Sequence, residues 1–383
     1  MLKVAIGHSA DIDLDRAIDD VVQQARQELR GATPKCGVLF IANDLQLERV
    51  LRGLRNAFPG VALVGCSSAG EASSTLGFQD DSILLILFAS DFLIAATAIG
   101  RGPSQDPKRA TAEAYGQICE QLRDEPPGLC FMFSDAIHAD PDVLLAELSH
   151  YLGGSVPIIG GAAACYPPGG ETHLIYEDEI LHDAVVVLVL GGDLEVSMAT
   201  ETSWQPIGKP GRITSANGRT IQQINDMPAL DFYRSMLGPD AQTFLGAPLA
   251  IVGQPGGISV RSAMRVGEEA RSIQVSGGIS EGDTVQLAFA TYDDVLHGAD
   301  AVARRTLEQF PDGCNPALLF FCSCGARKMF LALDVRSECD QLQARLGGEI
   351  PIAGFYGFGE IGSASTGEPS RFHNQAIVAV AIG

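Results

Sequence analysis

Three times along this chain a short apolar run passes into a glycine-bearing turn. The first is Pro59-Gly60-Val61-Ala62-Leu63-Val64-Gly65-Cys66-Ser67-Ser68-Ala69-Gly70-Glu71. The second is Val156-Pro157-Ile158-Ile159-Gly160-Gly161-Ala162-Ala163-Ala164-Cys165-Tyr166, and the third runs from Pro351-Ile352-Ala353-Gly354-Phe355-Tyr356 through Gly357-Phe358-Gly359-Glu360-Ile361-Gly362. A run of four or five apolar residues bounded by glycine or proline reads as a buried strand entering a tight turn. Each unit follows an earlier strand-like run and a helical pattern: Gly37–Ala42 with 45–58, Leu129–Phe133 with a helix from Asp140-Pro141 to about Leu152, and Ala317–Phe321 with 335–346. Each is followed by a returning strand (82–89, 184–190 and 376–382) introduced by Asp81, Asp183 and Gln375. The same order three times predicts an internally repeated α/β fold of mixed and parallel sheets flanked by helices.

The repeats do not account for everything. Leu2–Ile6 reads as a first strand, and 14–29 carries apolar residues at helical spacing. Between the second and third repeats the texture shifts to short strands with Gly/Pro turns (195–200, 211–214, 249–252), a helical stretch 221–236 broken near Met227-Pro228, and a hairpin pair at 272–275 and 284–290. A helix over 299–309 leads into the third repeat. The pattern divides the chain into two halves, 1–205 and 206–383.

Composition narrows the function classes. A formal charge of -21 removes the clustered cations that nucleic-acid binding needs, and disfavours an anionic membrane surface. No apolar run reaches the ~20 residues of a spanning helix, so no membrane insertion is expected. The first residues lack a charged segment followed by an apolar core, so no signal peptide is read. Nine cysteines, several inside apolar runs, fit reduced buried thiols and a cytoplasmic protein.

Loops at the carboxyl ends of strands are where open α/β sheets hold ligands, so the three glycine units are expected to line one cleft. Gly65, Cys66, Ser67, Gly160, Gly161 and Gly354 would let backbone approach a ligand, and Phe355, Tyr356 and Phe358 would wall it. The alternative is that these aromatics pack in the core. Glu360 and Arg327 are expected at adjacent strand ends, as an ion pair or as anchors for a polar or zwitterionic ligand. Gly65-Cys66-Ser67-Ser68-Ala69 approximates a nucleophile elbow, which keeps open an acyl-transfer enzyme using Cys66 or Ser67. The residues after it read as loop, whereas an elbow enters a helix. Cys322 and Cys324 lack the second pair that a zinc site requires.

The ordered set of pieces resembles the FIST sensory domains, N-terminal and C-terminal, over nearly the whole chain. The resemblance is carried by Gly65 through Glu71, Asp140-Pro141, Pro157 through Gly161, Pro228-Ala229-Leu230-Asp231-Phe232-Tyr233, Val260-Arg261, Glu281-Gly282-Asp283, Cys324 with Arg327, Gly354 through Glu360, and Phe372-His373-Asn374-Gln375. It departs at Ile137-His138, where a glycine-rich pattern is expected. The resemblance implies a non-enzymatic small-ligand sensor that signals to a separate protein such as a histidine kinase or a cyclic-di-GMP enzyme. Similarity to NosP-type members implies a non-covalent haem b that senses nitric oxide, and no other metal. Haem needs an axial donor; His373, beside Phe372 and Arg371, is the first candidate and His138 the second. An amino-acid or metabolite sensor without haem is the competing expectation, and a homo-oligomer is compatible with either.

Overall fold

The computed structural model describes residues 2–123, 125–135, 137–238, 247–254 and 257–383; Ala136, between the strand expected at Leu129–Phe133 and the helix expected from Asp140-Pro141, lies outside them. The first repeat consists of β1 (Lys3–Ser9), α1 (Leu14–Leu29), β2 (Cys36–Ala42), α2 (Leu47–Ala57), β3 (Ala62–Ser68), a hairpin of β4 (Glu71–Ser73) and β5 (Gly77–Gln79), and β6 (Ile83–Ala89). The second copies it with β7 (Ile94–Arg101), α3 (Pro107–Leu122), β8 (Pro127–Ser134), α4 (Pro141–Tyr151), β9 (Ile158–Ala162), the hairpin β10 (Leu174–Tyr176) and β11 (Glu179–Leu181), and β12 (Ala184–Gly191). The third opens with β13 (Val196–Thr202) and is then interrupted. The interruption holds β14 (Gln205–Asn217), β15 (Thr220–Ile224), β16 (Met227–Pro228), α5 (Ala229–Leu237), β17 (Leu249–Gln254), β18 (Gly257–Arg261), β19 (Ala263–Gly267), β20 (Ser272–Val275) and β21 (Thr284–Phe289). The repeat resumes with α6 (Tyr292–Glu308), β22 (Leu318–Cys324), α7 (Gly325–Leu331), α8 (Arg336–Leu346), β23 (Ile352–Gly357), the hairpin β24 (Glu360–Gly362) and β25 (Arg371–His373), and β26 (Ala376–Ile382).

Each repeat builds a four-stranded core sheet in the order first, last, second, third strand, with one parallel pair: β2–β3, β8–β9 or β22–β23. Each of these sheets is completed to six strands by a hairpin from another repeat. β10–β11 joins β3, β24–β25 joins β9, and β4–β5 joins β23. The exchange closes a ring, since every repeat lends one hairpin and receives one. The inserted strands form a separate antiparallel sheet of eight, with α5 packed on it.

The central strands are apolar on both faces because both are covered. On β2, Val38 and Phe40 face a core shared by all three sheets, whereas Leu39 and Ile41 face α1 and α2. Within the shared core Phe40, Phe133 and Phe355, one from each sheet, touch pairwise at centroid distances of 5.3, 4.2 and 5.8 Å. Such pairs add roughly 0.5–1.5 kcal/mol each beyond the area they bury. Helix starts follow simple chemistry. Asp13 accepts from the Asp15 and Arg16 amides at α1, and Asp140 accepts from Asp142 N with Pro141 in the first turn of α4.

The structure corrects three expectations. Ile221–Ile224 is strand β15, not helix, because Ile221 and Ile224 are buried in the inserted sheet, and the helix begins only at Ala229. The helix expected over 299–309 starts at Tyr292, where Thr291 and Asp294 form a capping box. The glycine-rich stretches are strands for most of their length: Gly65 lies within β3, Gly160 and Gly161 within β9, and Gly354 within β23. No helix among the described residues is long and apolar enough to cross a membrane.

Candidate functional site

The carboxyl ends of β3, β9 and β23 meet, and their outgoing segments are bonded pairwise into a ring. Ala69 N donates to Tyr356 O and Tyr356 N to Gly70 O, both at 2.9 Å. Ala162 N donates to Gly359 O and Phe358 N to Ala162 O, both at 3.0 Å. Ala164 N donates to Ser67 O at 2.9 Å, and the Ser67 hydroxyl donates to Ala164 O at 2.8 Å while accepting from His173 N at 2.9 Å. The expected gathering of three turns is therefore present. What fills the space beneath it is the Phe40, Phe133 and Phe355 cluster, and Phe355 and Tyr356 are fully buried.

Gly65, Gly160 and Gly354 are equivalent positions with a shared steric cause. A Cβ would lie 1.8 Å from Leu39 O at Gly65, 2.0 Å from Met132 O at Gly160 and 2.1 Å from Phe321 O at Gly354. These glycines let the two parallel strands of each sheet approach. Gly161 meets a different crowd, with its Cβ position 2.4 Å from Gly359 O and 2.9 Å from Cys322 Sγ.

Two carboxyl groups lie inside the ring. Glu71 accepts from the hydroxyls of Ser68 and Ser82, and Ser68 can also donate to Gly70 O at 3.1 Å. The chain of polar contacts continues from Ser82 Oγ to His8 Nε2 at 3.0 Å and from His8 Nδ1 to Ser73 Oγ at 2.8 Å. Burial pushes the Glu71 carboxyl up to about 8, against the pull of the two serine hydrogen bonds and Lys328. Burial likewise lowers His8 to about 4, so its imidazole is neutral. Glu360 accepts from Ala376 N at 3.0 Å through Oε2, while its Oε1 has no partner among the described residues. Burial holds Glu360 well above the usual carboxylate range, with the Cys324 thiol beside it. Lys328 seals the ring from outside: its ammonium donates to Ala69 O at 2.6 Å, pairs with Asp80, and sits 3.4 Å from the centre of the Tyr166 ring.

The other anticipated residues are dispersed around this ring. Arg327 does not pair with Glu360. Its partner is Glu338, at 2.6 Å with both side chains fully buried, and it also donates to Ser203 Oγ and Val295 O. Glu338 comes from α8, one helix beyond the expected strand ends, and it also accepts from Ser323. Cys66 is enclosed, and burial followed by Glu71 pushes its thiol far up. His373 lies on β25 with Nε2 bonded to Gly362 O at 3.0 Å, and burial lowers it to about 4. His138 is half exposed, and its Nδ1 bonds the buried Asp135 at 2.6 Å. The Asp135 carboxylate raises its pKa. That bond leaves Nε2 facing away from the carboxylate, the arrangement in which a histidine serves as a ligand oriented by a second partner.

Sequence reasoning passed over His8, Ser82, Lys328 and Glu338, and quoted Glu71 without assigning it a role. One signal was available: Gly70-Glu71 and Gly359-Glu360 recur at the same offset after their strands. Among the described residues no group of three or more His, Cys, Asp or Glu is arranged to hold a metal ion.

Three strand–helix–strand repeats joined by lent hairpins, with an antiparallel sheet inserted in the third, define an internally repeated α/β architecture. The family model of the FIST N domain matches residues 35–227 and that of the FIST C domain residues 229–363, and the chain belongs to the FIST family. An uncharacterised protein of Mycobacterium tuberculosis is 25% identical over 383 residues, spanning 94% of this chain and 95% of its own length. An uncharacterised protein of Methanocaldococcus jannaschii is 26% identical over 210 residues, 52% of this chain and 40% of its own. Among solved structures, a cyanuric acid hydrolase from A. caulinodans aligns over 100% of this chain and 99% of its own at 10% identity and a TM-score of 0.39. A chorismatase aligns over 100% and 98% at 11% identity and the same TM-score of 0.39. Both superpositions are too loose to inform the chemistry of this chain.

Proposed function

We propose that this chain is a non-enzymatic, cytoplasmic small-ligand sensor that acts on a separate signalling protein, such as a histidine kinase or a cyclic-di-GMP enzyme. The observation that carries the reading, beside membership of the FIST family, is the main-chain ring linking Ala69, Ala162, Ala164 and Tyr356 across all three repeats. A ligand that binds one arrangement of this ring more tightly than another shifts every repeat at once, which a sensor requires. The enclosed Cys66 and the carbonyl-bound Ser67 favour this reading over acyl transfer, because neither presents a nucleophile beside a base.

Haem-mediated nitric-oxide sensing is the second reading, favoured by one observation. His138 is an accessible imidazole whose Nδ1 is held by Asp135, leaving Nε2 for iron, so it fits the axial role better than His373, whose Nε2 is spent on Gly362. The walls fit less well: Phe355 and Tyr356 are committed to the interior and do not form a macrocycle slot beside His138. Haem, if held, would supply the gas-binding iron, and His138 and Asp135 would anchor it. Titration with haem discriminates the readings. A Soret band that survives His373→Ala and is lost in His138→Ala supports haem sensing. Absence of a Soret band, with a metabolite raising Tm at modest concentration, supports the haem-free sensor. If neither occurs, the sensor reading fails.

A further inference from the structure

Helix α7 is built inside out. Its two cations, Arg327 and Lys328, are buried, whereas Met329 and Phe330 on the same short helix are exposed. Both cations have partners: Arg327 has Glu338, and Lys328 has the Ala69 carbonyl and Asp80. The apolar side chains are left facing solvent. The helix stops at Ala332, whose φ of 50° is unfavourable for a residue with a side chain. The 3₁₀ turn Ala332–Asp334 then sets out Leu333 at 97% exposure.

This exposed surface continues on both sides of α7. Phe330 meets Trp204 edge to face with ring centroids 5.8 Å apart, and the Lys328 ammonium sits on the half-exposed Tyr166 ring. Tyr166, Met329, Phe330 and Leu333 together present roughly 400–500 Å² of largely apolar area, taking about 200 Å² for a large side chain, a size that on a folded chain often marks an interaction site.

Charge selects the occupant. Asn43 Oδ1 accepts from Tyr166 N at 3.2 Å, which puts the exposed Asp44 at the edge of this surface. Asp80 pairs with Lys328, and Asp81 follows it, also exposed. Burial, then the neighbouring Asp44 and Asp80, hold the Asp81 carboxyl above its usual range. Lys328 is already given to Ala69 O and Asp80, so Asp44 and Asp81 have no cationic partner among the described residues. Beside Leu333, Asp334 and Arg336 offset one another. A second copy would bring the same carboxylates and the same net charge of -21 to a symmetric contact, which repels it.

We propose that this face docks a basic amphipathic segment of a separate protein, its apolar side chains on Phe330 and Leu333 and its lysines or arginines on Asp44 and Asp81. The inference rests on the sensor reading for its purpose, not for its chemistry. Lys328 ties the face to the main-chain ring through Ala69 O, so a docked segment presses on a group bonded directly to that ring.

The probe is a tryptophan-free leucine–lysine peptide patterned as an amphipathic helix, titrated into the full chain. Trp204 is the one tryptophan of the chain and reports on Phe330. A saturable change in its emission is expected, and none with a leucine–glutamate peptide of the same pattern or a lysine–glutamine peptide lacking the apolar face. The double variant Met329→Ser, Leu333→Ser, on exposed residues, should weaken binding more than about tenfold with the far-ultraviolet spectrum unchanged. Asp44→Asn with Asp81→Asn should weaken it and flatten its salt dependence. No binding, equal binding of either comparator, or binding undiminished in the Met329 and Leu333 variant overturns the proposal. So does a dimer of the chain that this variant dissociates, which assigns the face to a second copy, or Leu333-dependent binding to phosphatidylcholine vesicles, which assigns it to a lipid surface. The haem and metabolite titrations do not involve this face. A response to either that persists while the peptide fails to bind removes the docking face and keeps the sensor; peptide binding without such a response removes the sensor and keeps the face.

Discussion

Glu71 and Glu360 are equivalent residues of the first and third repeats, each opening a lent hairpin and each facing the parallel pair of another repeat. Glu71 lies opposite Phe355 and Glu360 opposite Gly161. Each follows a glycine in the left-handed region, Gly70 at φ 136° and Gly359 at φ 144°, with an aromatic ring packed where a Cβ would be. In the second repeat the corresponding pair is His173-Leu174, so the ring carries two buried carboxyls and not three.

Glu71 is expected to hold its proton at neutral pH. Its pKa is raised from 4.5 to about 8, so the stability it contributes is fully present below pH 4.5 and is lost as pH rises to about 8. Glu71→Gln should remove that loss: the variant's Tm gains on wild type as pH rises from about 5 to 8. Infrared difference spectra should show a carboxylic-acid carbonyl band at pH 7 that the variant lacks. A Tm difference independent of pH would place Glu71 among ionised carboxylates.

Arg327 and Glu338 form a buried pair, and removing one partner strands the other's charge. Arg327→Met or Glu338→Leu alone should cost about 3–5 kcal/mol in urea unfolding. The double variant should recover most of that loss, since the uncompensated charge is gone. A double variant as unstable as the sum of the singles would contradict the pairing.

The strand glycines are expected to be structural. Gly65→Ala, Gly160→Ala and Gly354→Ala should each destabilise by about 1–3 kcal/mol or more in the absence of any ligand, because the methyl group collides with a neighbouring carbonyl. Gly116→Ala, within α3 and with nothing near its Cβ position, is the control and should be neutral or stabilising by roughly 0.4–1 kcal/mol. Unchanged stability in the first three would return those glycines to a ligand role.

His138 should titrate above an ordinary histidine because Asp135 bonds its ring. Asp135→Asn should lower that pKa, read as the pH midpoint of the His138 ring proton shifts in nuclear magnetic resonance. A midpoint that does not move would remove the Asp135 contribution.

Much of the repeat was visible in sequence because its strands are buried on both faces and α1, α3, α4 and α6 carry side-chain caps, although α2 and α8 do not. The Asp140-Pro141 start holds as written. The same Asp-Pro signal at Asp106-Pro107 opens α3, which the repeat reading did not include. The lent hairpins were not visible, since strands of three residues such as Glu71–Ser73 and Arg371–His373 carry too little periodicity to register. Their destinations are less legible still: nothing local in Glu71–Gln79 specifies a partner at Ala353–Phe355, far away in sequence. Glycines inside β3, β9 and β23 read as turns because the signal for a turn and the signal for close strand contact are the same residue. The Glu338 partner of Arg327 was missed because it is supplied by a later helix, not by a neighbouring strand end.

The traded hairpins set the order in which the molecule can be finished during synthesis. The first sheet cannot close until residues 174–181 have emerged, although its own strands are complete at Ala89. The hairpin β4–β5 must meanwhile wait, paired only with itself, for a sheet whose last strand ends at Ile382. Severing the polypeptide between its halves would therefore not release two units: one fragment would keep an edge meant for the other, and each would expose a template for pairing with whatever strand came next.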